Sequence, residues 1–175
     1  MKTISHLTAI AAILFSGAIF GFFYAWICST MWGLDAAKPE VAIAAMQAMN
    51  ASVRNAVFAP IFFGTPCVIA VAAIAAWRVQ AQVSGVYFAL AASLYFAGAL
   101  LLTMSVNVPM NDALAATPIP ASSEAAQDIW ITYSSRWQTY NILRTVVSGG
   151  SLLLCALGLL KLGQTTSALK ESPQN

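Results

Sequence analysis

Residues 7–32, 56–77, 79–111 and 145–160 contain no Asp, Glu, Lys, Arg or His. Roughly 20 apolar residues in a helix cross the ~30 Å hydrocarbon core of a bilayer. The first three runs meet that length, and the fourth reaches it by borrowing residues 140–144 and 161–162. Such runs leave little choice of fold, because each backbone donor and acceptor in lipid has to be satisfied within the protein. The pattern predicts an all-α protein, a four-transmembrane-helix bundle with spans at about residues 7–32, 55–77, 84–106 and 140–162.

Composition agrees, since 59% of the 175 residues are hydrophobic and 8% are charged, against about a quarter charged in a soluble domain. Four spans and their connections use the whole length, so residues 1–175 read as a single integral membrane domain. A net charge of +2 with no block of basic residues argues against a nucleic-acid partner. Cys28, Cys67 and Cys155 lie in different apolar runs and read as small packing residues, with no disulfide framework. Lys2 and the apolar run after it resemble a secretory signal, with Ser16-Gly17-Ala18 as a cleavage site. The uncharged stretch continues 14 residues past Ala18, however, and signal h-regions are only about 7–15 residues long. The first span is therefore expected to be retained.

Between spans one and two, Gly33 ends a helix and Lys38-Pro39-Glu40 starts another, since proline is tolerated in a first turn. Met46, Met49, Asn50, Val53 and Val57 continue at helical spacing, which predicts an amphipathic extension running directly into span two. Pro60 and Pro66 lie in that span and predict a kink or local irregularity. Such a break survives in a membrane only where protein or water satisfies the freed backbone groups. Spans two and three are joined tightly near Arg78. Span three is expected to end at Asn107-Val108-Pro109. Ser122-Ser123-Glu124 signals the start of a second amphipathic extension, which becomes span four. The polar residues 161–175 are expected to fray. Gly17-xxx-Gly21 and Ser148-Gly149-Gly150-Ser151 allow close helix approach. Packing within the bundle is favoured over dimerisation for both, and no oligomeric state is assigned.

An even number of spans places both termini on one side. Lys2, Arg78, Lys161 and Lys170 fall there, against Lys38, Arg54, Arg136 and Arg144 opposite. The counts tie, but three of the opposing cations are arginines within or beside helices. Setting those aside favours cytoplasmic termini in the inner membrane.

The same topology gathers the end of span one, the start of span two, the end of span three and the start of span four in one leaflet. The polar residues concentrate there. They include Tyr24, Cys28, Ser29 and Thr30, then Gln47, Asn50, Arg54 and Asn55, then Thr103, Ser105, Asn107, Asn111 and Asp112. On the fourth helix Trp130, Trp137 and Arg144 are seven apart, with Tyr133, Tyr140 and Asn141 at the steps between, so one face carries them all. Trp130 and Tyr133, taken singly, read as members of an interfacial aromatic belt. Trp137, Asn141 and Arg144 together read as a site, because a belt does not require carboxamides. An intramembrane arginine faces a partner or a wet cavity, and Asp112, Asp128 or a bound anion are candidate partners for Arg144. Asn107 and Asn111 also suit capping the end of span three.

Metal chemistry is disfavoured. His6 is the sole histidine, sits at the opposite end of span one and reads as interfacial, and the cysteines are scattered. Met46, Met49, Met104 and Met110 read as core rather than as copper ligands.

Four segments resemble the anthrone oxygenase-like membrane family over nearly the whole chain. They are Gly21-Phe22-Phe23-Tyr24, Met46-Gln47-Ala48-Met49-Asn50, Asn107-Val108-Pro109-Met110-Asn111, and the run Trp137-Gln138-Thr139-Tyr140-Asn141-Ile142-Leu143-Arg144. The last two are the most specific. The resemblance implies a four-helix membrane bundle that oxidises a planar polycyclic phenol, an anthrone, with dioxygen and without a cofactor. Such chemistry needs donors for a developing oxyanion, and Arg144, Asn141, Asn107 and Trp137 fit that need. Asp112, with Tyr24 behind it, is the better candidate base. Asn107, Asn111, Asn50, Tyr24 and Tyr140 are the expected substrate contacts. The expected partners are a hydrophobic small molecule and the lipid bilayer. The alternative is a non-enzymatic carrier or binding protein for a lipid- or quinone-like molecule, or an accessory membrane subunit.

Overall fold

The computed structural model describes residues 1–171, and residues 172–175 lie outside the description. Among the described residues the chain is all-helical. Helix α1 spans Lys2–Asp35, α2 Pro39–Ser52, α3 Phe58–Arg78, α4 Gln82–Ala115 and α5 Ser123–Glu171. Four of them, α1, α3, α4 and α5, are long and apolar enough to cross a membrane, as an integral membrane protein requires.

The four long helices pack in a ring, α1 against α3, α3 against α4, α4 against α5 and α5 against α1. A tight turn at Val79, Gln80 and Ala81 makes α3 and α4 antiparallel neighbours. Gln80 adopts φ 62°, and the Ala81 N–H returns to the Ala76 carbonyl at 3.0 Å. Short α2 lies across one end of the ring and packs on α5. Two apolar clusters result. One fills the ring around Ile19, Phe62, Ile69, Phe88 and Tyr95; the other joins α2 to the bundle end through Ile43, Met46, Trp130 and Trp137. The Ser123 hydroxyl donates to the Glu40 carboxylate, tying the starts of α5 and α2 and holding that exposed carboxyl below its ordinary range.

Several helix boundaries depart from expectation. The extension before span two does not run on into it, because the chain breaks between α2 and α3. Asn55 causes the break, its Oδ1 accepting from the Val57 and Phe58 N–H groups at 2.8 and 2.9 Å. A short polar side chain that offers the backbone such a bond competes with a continuous helix. The helix of span three does not end at Asn107. It passes through π-helical turns at Phe96–Leu101 and Thr103–Asn107. The Val108 N–H then reaches the Thr103 carbonyl, and Pro109 falls in the first turn of a renewed α-helical segment, where its missing N–H is tolerated. Of the polar tail, residues 161–171 are helical, and residues 172–175 lie outside the described residues.

Pro66 leaves the Phe62 carbonyl without its usual donor four residues on. The hydroxyl of buried Tyr95, on α4, donates to that carbonyl at 3.0 Å. Protein thus supplies the bond that lipid cannot.

The small-residue motifs divide. In the fourth span, Ser148 and Ser151 are buried, a Cβ on Gly149 would stand 3.0 Å from the Phe20 ring, and one on Gly150 would stand 3.3 Å from Leu94. Gly17 and Gly21 do not pack within the bundle, since nothing lies within 4 Å of a Cβ at either. Gly149→Leu is therefore expected to cost about 1–3 kcal/mol by overpacking. Gly17→Leu and Gly21→Leu are expected to leave stability unchanged or raise it, because glycine is a poor helix former. Thermal unfolding of the detergent-solubilised variants checks this contrast.

Candidate functional site

The break after α2 places Arg54, Asn55 and Phe58 opposite the widened turns of α4, and the first half of α5 closes the space between. The seven-residue face of α5 turns inward. Trp130, Tyr133, Trp137, Asn141 and Arg144 are all buried. Trp130 and Tyr133 thus form no lipid-facing belt. The Trp130 indole donates to Asp35 at 3.0 Å, and Ser134 and Gln138 donate to the same carboxylate at 2.7 and 2.9 Å. Asn111 Oδ1 accepts from the Tyr133 hydroxyl at 2.8 Å and from the Trp137 indole at 3.1 Å. Asn50 Nδ2 donates to the Tyr133 hydroxyl at 3.3 Å.

Arg144 is 5% exposed. Its Nη1 donates to Thr103 Oγ1 at 3.2 Å and its Nη2 to Asn141 Oδ1 at 2.9 Å, while Nε is buried without a partner. Neither Asp112 nor Asp128 meets it. Asp112 is instead exposed and paired with Arg54, the sole ion pair among the described residues. The guanidinium lies 4.5 Å from the Phe23 ring centre and 5.3 Å from that of Trp137, within cation–π range of both. Asn141 also donates to the Phe23 carbonyl at 3.1 Å, just before the π-helical turn Trp26–Thr30.

A cavity of about 630 Å³ opens beside this cluster, within the ~300–1,000 Å³ range of small-molecule sites. All five helices line it. The wall is mainly apolar and rich in rings, with Phe22, Phe23 and Trp26 from α1, Phe58, Phe62 and Phe63 from α3, and Trp137 from α5. The polar lining comes from Asn50, Arg54, Asn55, Thr103, Asn111 and Arg144. Phe22 and Phe58 pack with ring centres 4.8 Å apart, as do Trp26 and Trp137 at 5.0 Å. Among the described residues no three His, Cys, Asp or Glu side chains gather in a way that suits a metal ion.

The expected site residues do not all reach the cavity. Arg144, Trp137, Asn111 and Asn50 line the cavity, and Asn141 stands behind Arg144 as its acceptor. Asn107 is fully buried on the same stretch of α4, with both carboxamide atoms unpartnered; it lies inside a continuous helix and caps nothing. Asp112 sits at the rim, bound to Arg54. Tyr24 and Tyr140 do not line the cavity. Tyr24 is 49% exposed and stacks on Phe20, and Tyr140 is half-buried. Sequence reasoning missed the wall itself, Phe22, Phe58 and Phe62 above all, because phenylalanine in an apolar span carries no signal for which way it faces.

Residues 55–154 match the family model described as anthrone oxygenase, a shorter stretch than the near-complete resemblance expected. No curated protein and no solved structure matches the chain. The matched stretch takes in α3, α4 and the part of α5 that carries Trp137, Asn141 and Arg144, and it exceeds half of the 175 residues. On that match the chain belongs to the anthrone oxygenase family.

Proposed function

We propose that the protein is a membrane-embedded oxygenase that oxidises a planar polycyclic phenol of the anthrone type with dioxygen and no cofactor. The observation that carries the proposal is the aromatic cavity with Arg144 in its wall, built largely from the stretch that matches the family. The methylene proton is lost to solvent water, so the substrate reaches Arg144 as its anion. The carbanion then adds to and reduces dioxygen, and the peroxide anion takes a proton back from water. The resulting hydroperoxide loses water, so CH2 and O2 become C=O and H2O. Arg144, positioned by Asn141 and Thr103, supports the negative charge on the substrate oxygen, and the Trp137 indole and Asn111 help to orient the ring. Preorganised donors in a water-poor site are effective at this task.

Phe22, Trp26, Met49 and Phe58 also line an adjoining hollow of about 480 Å³ that reaches Val57, which is 83% exposed. This favours entry of a lipid-dissolved substrate between α1 and α3. Cytoplasmic termini in an inner membrane are part of this reading, supported by the burial of Arg144 and the pairing of Arg54 with Asp112, which leave fewer free cations on the opposite side.

One observation favours a carrier instead. Among the described residues no Asp, Glu or His lines the cavity, so its walls supply no general base there, and Asp112 is held by Arg54 at the rim. Oxygen-electrode measurements on the purified chain separate the two readings. Anthrone-dependent uptake with formation of the corresponding quinone is expected. Binding of anthrone without uptake would leave the carrier.

A further inference from the structure

We infer that the cavity takes its ligand as an anion, an aromatic oxyanion whose charged oxygen sits against the Arg144 guanidinium. The inference rests on reading the cavity as a ligand site but is independent of any oxidation there.

Arg144 is buried in an apolar helix and meets only neutral oxygens. A guanidinium has five N–H donors. Two are bonded here, leaving three, among them the unpartnered Nε. Buried charges are normally paired, and an arginine at membrane depth faces a partner or a wet cavity. Among the described residues no carboxylate pairs with it: that of Asp112 is committed to Arg54 at the rim, and Asp35 is committed to Trp130, Ser134 and Gln138.

A second poorly satisfied polar group lies nearby. The Asn107 carboxamide is 0% exposed with neither atom bonded, on the stretch of α4 between cavity-lining Thr103 and Asn111, although it does not itself line the cavity. An amide left without partners inside a protein costs free energy, so this end of the bundle holds more polar groups than its own bonds satisfy. The rest of the wall combines aromatic rings with aliphatic side chains such as Met49, Val53 and Met104, and the rings offer faces on which a ring system can stack. The titratable side chains in the wall are Arg54 and Arg144, both cationic. Nothing in the wall takes a proton from an uncharged ligand, so selection acts on a ligand already ionised.

The test uses the full chain in detergent and two probes of matched shape, 2-naphthoate and uncharged 2-acetylnaphthalene, titrated calorimetrically. The anion is expected to bind about 10- to 100-fold more tightly, as for a charge-assisted hydrogen bond replacing a neutral one. Asn141→Asp and Thr103→Asp each place a carboxylate on a group that already touches the guanidinium. Either is expected to erase the preference while 2-acetylnaphthalene still binds, which shows the cavity intact. Equal affinities in the unaltered chain, failure of both probes to bind, or a preference that survives both variants would overturn the inference. Oxygen uptake from anthrone without anion preference would leave the oxygenase standing and remove this inference. Preference without uptake would do the reverse.

Discussion

Replacing Arg144 by methionine is expected to abolish anthrone-dependent oxygen consumption while leaving the bundle as stable as before, or more so. The two effects separate because the arginine is poorly compensated. Its bonds go to Thr103 Oγ1 and Asn141 Oδ1, and the donors of both residues stay bonded, to the Ala99 and Phe23 carbonyls. The variant leaves the buried Asn141 Oδ1 as the one acceptor stripped of its main donor, at about 1–3 kcal/mol. An arginine at a helix centre costs about 2.5–3.5 kcal/mol on insertion scales, an upper bound for Arg144 one turn inside the span, and the Phe23 and Trp137 faces return about 0.5–2 kcal/mol. Methionine removes the cost and fills the same space. Loss of an oxyanion donor lowers turnover by about 10²–10³. Thermal unfolding and oxygen uptake on one preparation decide the matter. A variant that unfolds readily makes Arg144 a structural strut, and unchanged uptake removes it from the site.

The second large effect belongs to Tyr95. Tyr95→Phe strips the donor from the Phe62 carbonyl, and a buried carbonyl left unsatisfied costs about 1–3 kcal/mol. The penalty exists because residue 66 is proline. In a Pro66→Ala background the helix supplies its own N–H to Phe62, so Tyr95→Phe is expected to lose most of its effect. Contacting residues show couplings of about 0.5–3 kcal/mol, and equilibrium unfolding of the four chains in the cycle measures this one. Strict additivity would mean that the tyrosine contributes packing alone and that the Pro66 defect is relieved elsewhere.

These two residues illustrate what can be read along a chain and what cannot. The spans were legible because lipid imposes one rule, absence of charge over a length, and residues 7–32 or 79–111 obey it without tertiary help. The α5 face was legible too, since a seven-residue spacing brings Trp130, Trp137 and Arg144 together on any helix. Partners were not. Asp35 receives Trp130 and Asp112 receives Arg54 across the bundle, and neither pairing has a local signature. The break at Asn55 was missed because apolar periodicity runs straight through it, although an Asn just before a proline-containing helix is a recognised start. Pro109 misled for a related reason: the rule that ends a helix before proline assumes an α-helix, and a π-helical turn intervenes.

An experimental structure of the full chain saturated with anthrone asks most directly whether the hollow at the meeting of the five helices holds a ligand. Density for a flat ring between Phe58 and Trp137, with an oxygen in hydrogen-bond reach of the Arg144 guanidinium, is the result expected. Phenylalanine side chains collapsed into that space, with anthrone bound elsewhere or not at all, would contradict it.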